Sequence, residues 1–367
     1  MRTTQNRKKA ESKIKNSFSS LMTQSTAEFP IHSEVNLASY NTLHIEAKAA
    51  SFLSVTSQEQ LVSFIEKSKP GYSDLFVLGG GSNVLFAGDY NGLILHVAIK
   101  GKEVLEETED HIVLQVGAGE NWHETVRYCV EQGWGGIENL SLIPGTVGAA
   151  PIQNIGAYGV ELEEVFQSLE AVELSSGKVK TFYKKDCRFG YRDSIFKNEL
   201  KGKYVVTQVT LRLSKKPELN TSYGAVSKEL EKRNIDNPTI RDLSEIIIDI
   251  RNSKLPNPDD LGNAGSFFKN PIVSGQKYEY LKREYPSMPG YELNEIETKI
   301  PAGWLIEEAG LKGMKYGNAG TYKQQALVIV NHGGATGKEI MELSNKIRTT
   351  VKNKFGIELV PEVNIVD

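Results

Sequence analysis

Three segments, far apart in the 367-residue chain, carry side chains suited to electrostatic or acid–base chemistry. Cys187-Arg-Phe-Gly-Tyr-Arg-Asp-Ser sets Tyr191 and Arg192 among small and polar neighbours. An arginine placed there can stabilise a developing oxyanion; taken alone, the motif reads better as a surface ion pair between Arg192 and Asp193. Gly262-Asn-Ala-Gly-Ser-Phe-Phe-Lys-Asn-Pro puts Ser266 directly behind a glycine, in a stretch with little regular pattern. A loop serine can donate a proton. No Gly-x-Ser-x-Gly elbow surrounds Ser266, which disfavours a hydrolase nucleophile, and a buried capping serine is the plainer alternative. Leu359-Val-Pro-Glu-Val-Asn-Ile-Val is an apolar strand carrying Glu362. A carboxylate near a chain end is ordinarily solvated; a buried one needs a partner or a raised pKa, the state acid–base work uses.

Two glycine-rich segments suit a phosphate-bearing ligand. In Leu78-Gly-Gly-Gly-Ser-Asn-Val-Leu, three glycines follow an apolar strand. Without Cβ atoms, Gly79, Gly80 and Gly81 let backbone N–H groups crowd an anion, and Ser82 and Asn83 add side-chain donors. The spacing fits neither a Rossmann fingerprint nor a Walker loop, and an ordinary glycine turn stays open. The run Ile143-Pro-Gly-Thr-Val-Gly-Ala-Ala-Pro-Ile-Gln-Asn-Ile-Gly-Ala-Tyr-Gly is too rich in small residues for a packed element. Gly145, Gly148, Gly156 and Gly159 permit close backbone approach, and Gln153 and Asn154 can bond the edge of a heterocycle. Its length disfavours a loop without a ligand. Two such segments in one domain suggest a dinucleotide.

The elements that must position these residues mix helix and strand. Phe52–Val55, a helix over Gln58–Ser68 and the strand Leu75–Leu78 lead into the first glycine segment. Strands are predicted at Gly92–Val97 and His111–Gly117, then a helix over Asn121–Gln132 closed by Gly133. Further strands are predicted near 168–174, 179–183 and 204–213, with Ser175-Ser-Gly as a hairpin turn. Lys215-Lys-Pro-Glu reads as a linker. Beyond it, 240–253 places Leu243, Ile246, Ile247 and Ile250 on one helical face, and helices over 302–310 and 337–354 flank a strand at Ala326–Val330. No repeat of 20 to 50 residues emerges. Residues 1–30 are polar and aperiodic and read as a flexible tail, within which Met22 is an alternative start.

Composition narrows the function. There are 43 basic against 46 acidic side chains, so no global cationic field draws nucleic acid or an anionic membrane, and phosphate binding must be local. No run approaches the roughly 18 apolar residues of a membrane span, and the N-terminal region lacks a secretory signal core. Two cysteines, Cys129 and Cys187, are too few for a disulfide framework and fit a reducing compartment. The six histidines show no metal-site spacing, and no metal is expected.

Six ordered motifs carry a resemblance over about Asn41 to the C-terminus: Asn41-Thr-Leu, Gly79-Gly-Gly-Ser-Asn-Val-Leu, Ile143-Pro-Gly-Thr-Val-Gly-Ala, Tyr191-Arg-Asp-Ser, Gly265-Ser-Phe-Phe-Lys-Asn-Pro and Pro361-Glu-Val. Together they resemble the UDP-N-acetylenolpyruvoylglucosamine reductase family, flavoproteins of peptidoglycan precursor synthesis. The resemblance implies an α+β protein: a two-part FAD-binding domain of the vanillyl-alcohol-oxidase type plus a smaller α+β substrate-binding domain. The expected division is 31–215 for FAD (about 31–100 and 101–215), 216–355 for substrate, and a strand over 356–367 returning to the active site. It implies hydride transfer from NADPH to FAD and on to the enolpyruvyl β-carbon of UDP-N-acetylglucosamine enolpyruvate. Arg192 then binds the substrate carboxylate and stabilises the resulting enolate with Glu362 assisting, and Ser266 protonates the α-carbon. Substrate contacts fall on Tyr191, Tyr223, Lys254 and Asn270. FAD contacts fall on Asn41, Thr42, Gly79 to Ser82, Asn83, Val84, Leu85, Ile143, Pro144, Gly145, Thr146, Gly148, Ala149, Gln153, Asn154, Gly156, Ala157, Tyr158 and Gly159. The Thr221-Ser-Tyr-Gly segment and the insert over 272–303 resemble the family's longer form, which bears a tyrosine loop. Neither glycine motif holds a histidine or cysteine, so noncovalent FAD is expected. A cytoplasmic monomer with a sugar nucleotide and NADPH as its small-molecule partners completes the expectation.

Overall fold

The strand Tyr90–Val97 carries the run Gly92-Leu-Ile-Leu, buried throughout, because both faces of its sheet are covered. The computed structural model describes residues 29–68 and 74–367, so the tail expected over 1–30 lies outside the described residues but for its last two. The first sheet runs His32–Asn36, Lys48–Val55, Tyr90–Val97, Leu75–Leu78. Its outer strand is antiparallel and the rest are parallel. Leu75–Leu78 ends at Gly79, so the glycine turn emerges from the carboxyl end of a parallel strand, where open α/β sheets place ligands.

A second, antiparallel sheet follows in the order Val179–Tyr183, Phe166–Glu173, Tyr204–Ser214, His111–Gly117, Lys102–Glu107. The 175–177 turn joins its first pair, with Gly177 at φ 71. The helix Trp122–Glu131 opens on Asn121, whose side chain accepts from the Glu124 N–H. Inner faces of the first two sheets share one apolar core, from Leu53 and Leu95 to Leu114, Trp122 and Val209.

The other face of the first sheet packs against the C-terminal part of the chain. Phe52, Leu78 and Ile94 join Leu305, Ile340, Leu343 and Phe355 in one cluster. There a sheet orders Gly262–Ser266, Val328–Asn331, Ala319–Thr321, Lys315–Tyr316. The helix Gly337–Phe355 is fixed at both ends, by a Thr336/Glu339 capping box and by Gly356 in the left-handed region. The helix Ile240–Lys254 has its own Thr239/Asp242 box and buries Leu243, Ile246, Ile247 and Ile250 with Val226 and Leu230 in a small separate cluster. It also packs on Glu138–Leu140, just ahead of the second glycine segment. The 272–303 insert is a three-stranded sheet of Ile272–Ser274, Glu297–Lys299 and Tyr291–Asn294, with the helix Gly275–Glu284 between the first two in sequence.

Two expectations change in detail. The Ser266 segment is a strand, Gly262–Ser266, paired with Val328–Asn331 and broken by a bulge between Asn263 and Ser266. A run of Gly, Asn, Ala, Gly and Ser conceals a strand because none of these residues favours one. The glycine-rich 143–159 stretch winds through a 3₁₀ segment, Val147–Ile152, and a minimal hairpin of Gly156–Ala157 with Val160–Glu161.

Candidate active site

Tyr191 and Arg192 occupy the two central positions of a tight turn closed by reciprocal backbone bonds between Gly190 and Asp193, 3.1 Å each way. Arg192 sits at φ 53, a left-handed conformation that costs a non-glycine residue about 1–2 kcal/mol. Its side chain does not take the local Asp193. That carboxylate accepts from Asn198 at 3.0 Å, and the Arg192 Nε lies 3.5 Å from Glu362 Oε1. Both members of the pair are largely buried, with 27% and 14% of their side chains exposed, so solvent screens them weakly.

Glu362 reaches this place because the last strand is zipped on both sides. Its N–H donates to the Phe267 carbonyl at 2.8 Å, and the Lys269 N–H donates to Val360 at 2.9 Å. On the other side Asn364–Val366 pairs in parallel with Val84–Phe86. Asn83 closes the junction, donating to Gln153 Oε1 at 3.2 Å and to the Glu362 carbonyl at 3.3 Å. Ser266, one residue ahead of Phe267, is exposed, and Gly265 before it holds φ 66 at the bulge. Three distant segments thus meet at one place.

The two glycine segments pack directly against each other nearby. A Cβ on Gly80 would lie 3.1 Å from the Gly145 Cα, one on Gly79 2.5 Å from the Thr146 hydroxyl, and one on Gly81 2.0 Å from the Tyr40 carbonyl. Among the described residues, no carbonyl takes the N–H of Gly80, Gly81, Ser82 or Asn83. The buried Thr42 hydroxyl likewise has no partner. Four successive unpaired amides beside an orphaned hydroxyl form an anion cradle, and this chemistry fits the diphosphate of FAD. Thr42, Gly79 to Asn83, and the 143–149 and 153–159 segments would hold the cofactor. Four of the expected contacts have their side chains committed to the fold. Asn41 bonds Leu37, Ile45 and the Ile45 N–H within its own turn. Asn154 bonds Glu161, Gly190 and the Glu163 N–H. Val84 and Leu85 are buried in the core. These four offer a ligand backbone position only.

The substrate-side residues converge unevenly. Tyr223 stacks edge-on against Tyr158, with ring centroids 5.3 Å apart, and both Tyr191 and Tyr291 lie within its electrostatic reach. Asn270 spends its carbonyl on the Ala302 N–H at 2.9 Å. Lys254 is exposed at the end of its helix. Three further cationic residues, not singled out from the sequence, approach these side chains. Lys299 lies 4.4 Å over the Tyr191 ring. Arg251 donates to the Leu142 carbonyl at 3.2 Å and is close enough to Tyr158 and Arg192 to feel both. Lys197 donates to the Arg192 carbonyl at 3.0 Å. Burial first, then the Glu163 carboxylate, push Glu161 above the usual carboxylate range, with Arg192 opposing. Lys299 and Tyr291 sit in an insert whose register only pairing fixes. Lys197 follows the Tyr-Arg-Asp-Ser motif closely enough that its spacing was a usable signal. Both cysteines are buried, with thiols pushed up to about 12 by burial, which leaves them inert.

Comparison with known proteins bears on the family and the fold. Residues 49–183 match the FAD binding domain model, and residues 257–366 match the C-terminal domain model of UDP-N-acetylenolpyruvoylglucosamine reductase. The Flavobacterium johnsoniae protein of that name is 47% identical over 337 residues, covering 92% of this chain and 99% of the relative. Its Amoebophilus asiaticus counterpart is 50% identical over 336 residues, with 92% and 99% covered. The crystal structure of the Thermus caldophilus reductase superposes with a TM-score of 0.65 at 24% identity, covering 92% of this chain and all of that one, which supports the fold. The chain belongs to the UDP-N-acetylenolpyruvoylglucosamine reductase family.

Proposed function

We propose that this protein reduces UDP-N-acetylglucosamine enolpyruvate to UDP-N-acetylmuramate at the expense of NADPH, as a noncovalent FAD enzyme and a cytoplasmic monomer. The observation that carries the reading is the 3.5 Å Arg192–Glu362 pair, assembled beside the Ser266 strand at the edge of the glycine cradle. FAD, when bound, supplies the two-electron store between NADPH and the enolpyruvyl group. Arg192 binds the substrate carboxylate and stabilises the enolate charge that appears when hydride reaches the β-carbon. Glu362 keeps the guanidinium oriented. The Ser266 hydroxyl gives its proton to the α-carbon, which a strongly basic enolate accepts readily. Lys254, Lys299 and Arg251, with Tyr191, Tyr223 and Asn270, offer charge and hydroxyl or amide donors to the sugar-nucleotide diphosphate. The working division assigns 31–215 to FAD, 216–355 to substrate and 356–367 to the returning strand.

The test follows NADPH oxidation at 340 nm by FAD-loaded protein, with and without the enolpyruvyl sugar nucleotide, in wild type and Ser266→Ala. Substrate-dependent oxidation that collapses in the variant, while NADPH still bleaches the flavin, is the expected result. Flavin binding without any response to this substrate would overturn the reading.

A further inference from the structure

Arg192 adopts a conformation that its residue type resists, and the Gly190–Asp193 backbone pair closes the turn without engaging the Arg192 carbonyl. That carbonyl is met by Lys197 Nζ at 3.0 Å. The ammonium is itself well placed. Lys197 ends the 3₁₀ turn Ile195–Lys197, whose Ser194 cap donates to the Ile152 carbonyl at 2.6 Å and whose Phe196 is buried in the main core. Arg192 and Lys269 are the like charges around it, and Glu362 and Asp193 the opposite ones. Burial, then the Lys269 charge, hold its amine below the usual lysine range.

We propose that Lys197 is a positioning residue for the reaction: its ammonium, donating to the Arg192 carbonyl, holds the left-handed turn that aims the Arg192 guanidinium at Glu362. The inference rests on the function proposed above. An ammonium half removed from water, among two cations and two carboxylates, is an expensive way to brace a surface loop. It is a reasonable way to fix a peptide plane at which a small rotation swings the guanidinium off its target. A charge-assisted bond to the carbonyl is stronger than a neutral one and opposes relaxation of the turn. It also brings a second positive charge within electrostatic reach of Glu362.

Rapid mixing separates the two half-reactions: flavin reduction by NADPH, and reoxidation of the reduced flavin by the enolpyruvyl sugar nucleotide. Lys197→Met is expected to slow reoxidation about 10- to 100-fold, the scale of a displaced positioning group, and to leave reduction by NADPH and FAD content near wild type. Lys197→Arg is expected to recover most of the rate. It should also move the alkaline limb of the reoxidation pH profile upward, because a guanidinium keeps its proton where a depressed lysine loses it. Wild-type reoxidation in Lys197→Met, or a Lys197→Arg profile superimposable on wild type, overturns the proposal. If Lys197→Met does not fold, the Lys197→Arg profile decides alone. A wild-type protein that ignores the substrate sinks the function and this inference together, whereas an active wild type with an indifferent Lys197→Met sinks the inference only.

Discussion

Arg192 faces a choice of carboxylates: Asp193 is its neighbour in sequence, yet it stands 3.5 Å from Glu362 near the opposite end of the chain. Asp193 is satisfied by Asn198, and the left-handed turn directs the arginine away from it. A lysine at this position keeps the charge and loses the planar fork that matches a carboxylate. Arg192→Lys is therefore expected to lower kcat/KM for the enolpyruvyl substrate by roughly 100- to 1000-fold, as loss of an oxyanion-stabilising donor does. Steady-state kinetics alongside a flavin-content assay checks this, and retained FAD with near wild-type turnover would contradict it.

At the scale of elements, the second glycine segment hangs from a strained hinge. Leu142, just ahead of Ile143, has φ 57 and is pinned at both polar groups. Its N–H donates to His123 Nδ1 at 2.9 Å, from the helix Trp122–Glu131, and its carbonyl accepts from Arg251 at 3.2 Å, from the helix Ile240–Lys254. Two helices thereby set the position of the loop. His123 accepts only when neutral at Nδ1. Burial holds its pKa below 6.5; of its charged neighbours, Glu124 opposes this and Arg127 and Arg251 reinforce it. The sign follows from linkage: the unfolded imidazole binds its proton more readily, so the stabilisation is full above about pH 6.5 and lost as pH falls through the lower folded value. FAD affinity, measured by recovery of flavin fluorescence from apoprotein titrations, is expected to weaken on acidification in wild type. His123→Asn, with a non-titrating acceptor, should flatten that dependence. Equal acid weakening in both proteins would count against the hinge.

Across the whole molecule, one apolar cluster joins the first sheet to the C-terminal sheet and helices, and the last strand is shared between 83–86 and 267–269. The strands that carry Ser266 and Glu362 are consequently built on the same core as the first sheet. Leu305→Ala, at a fully buried position of that cluster, should cost about 2–5 kcal/mol. The loss should appear as a shift of one shared denaturation midpoint, read by flavin release and by far-UV circular dichroism. Separate midpoints for cofactor release and for loss of C-terminal structure would show that the two parts unfold independently.

Local chemistry was legible from sequence wherever it was concentrated in consecutive residues. The glycine turn after Leu75–Leu78, the amphipathic helix Ile240–Lys254, and the Tyr-Arg-Asp-Ser motif are all short-range patterns governed by backbone sterics and helical period. The strand Gly262–Ser266 was not legible, because its conformation comes from pairing with Val328–Asn331 rather than from its own residues. Nor were the contributions of Lys299, Arg251 and His123, each of which matters only through a partner many residues away. Side-chain identity and short-range backbone preference fix what each segment can do. Which carboxylate meets Arg192, and which amides are left unpaired around the cradle, follow from burial and long-range hydrogen bonding, and these exist only once the chain has packed.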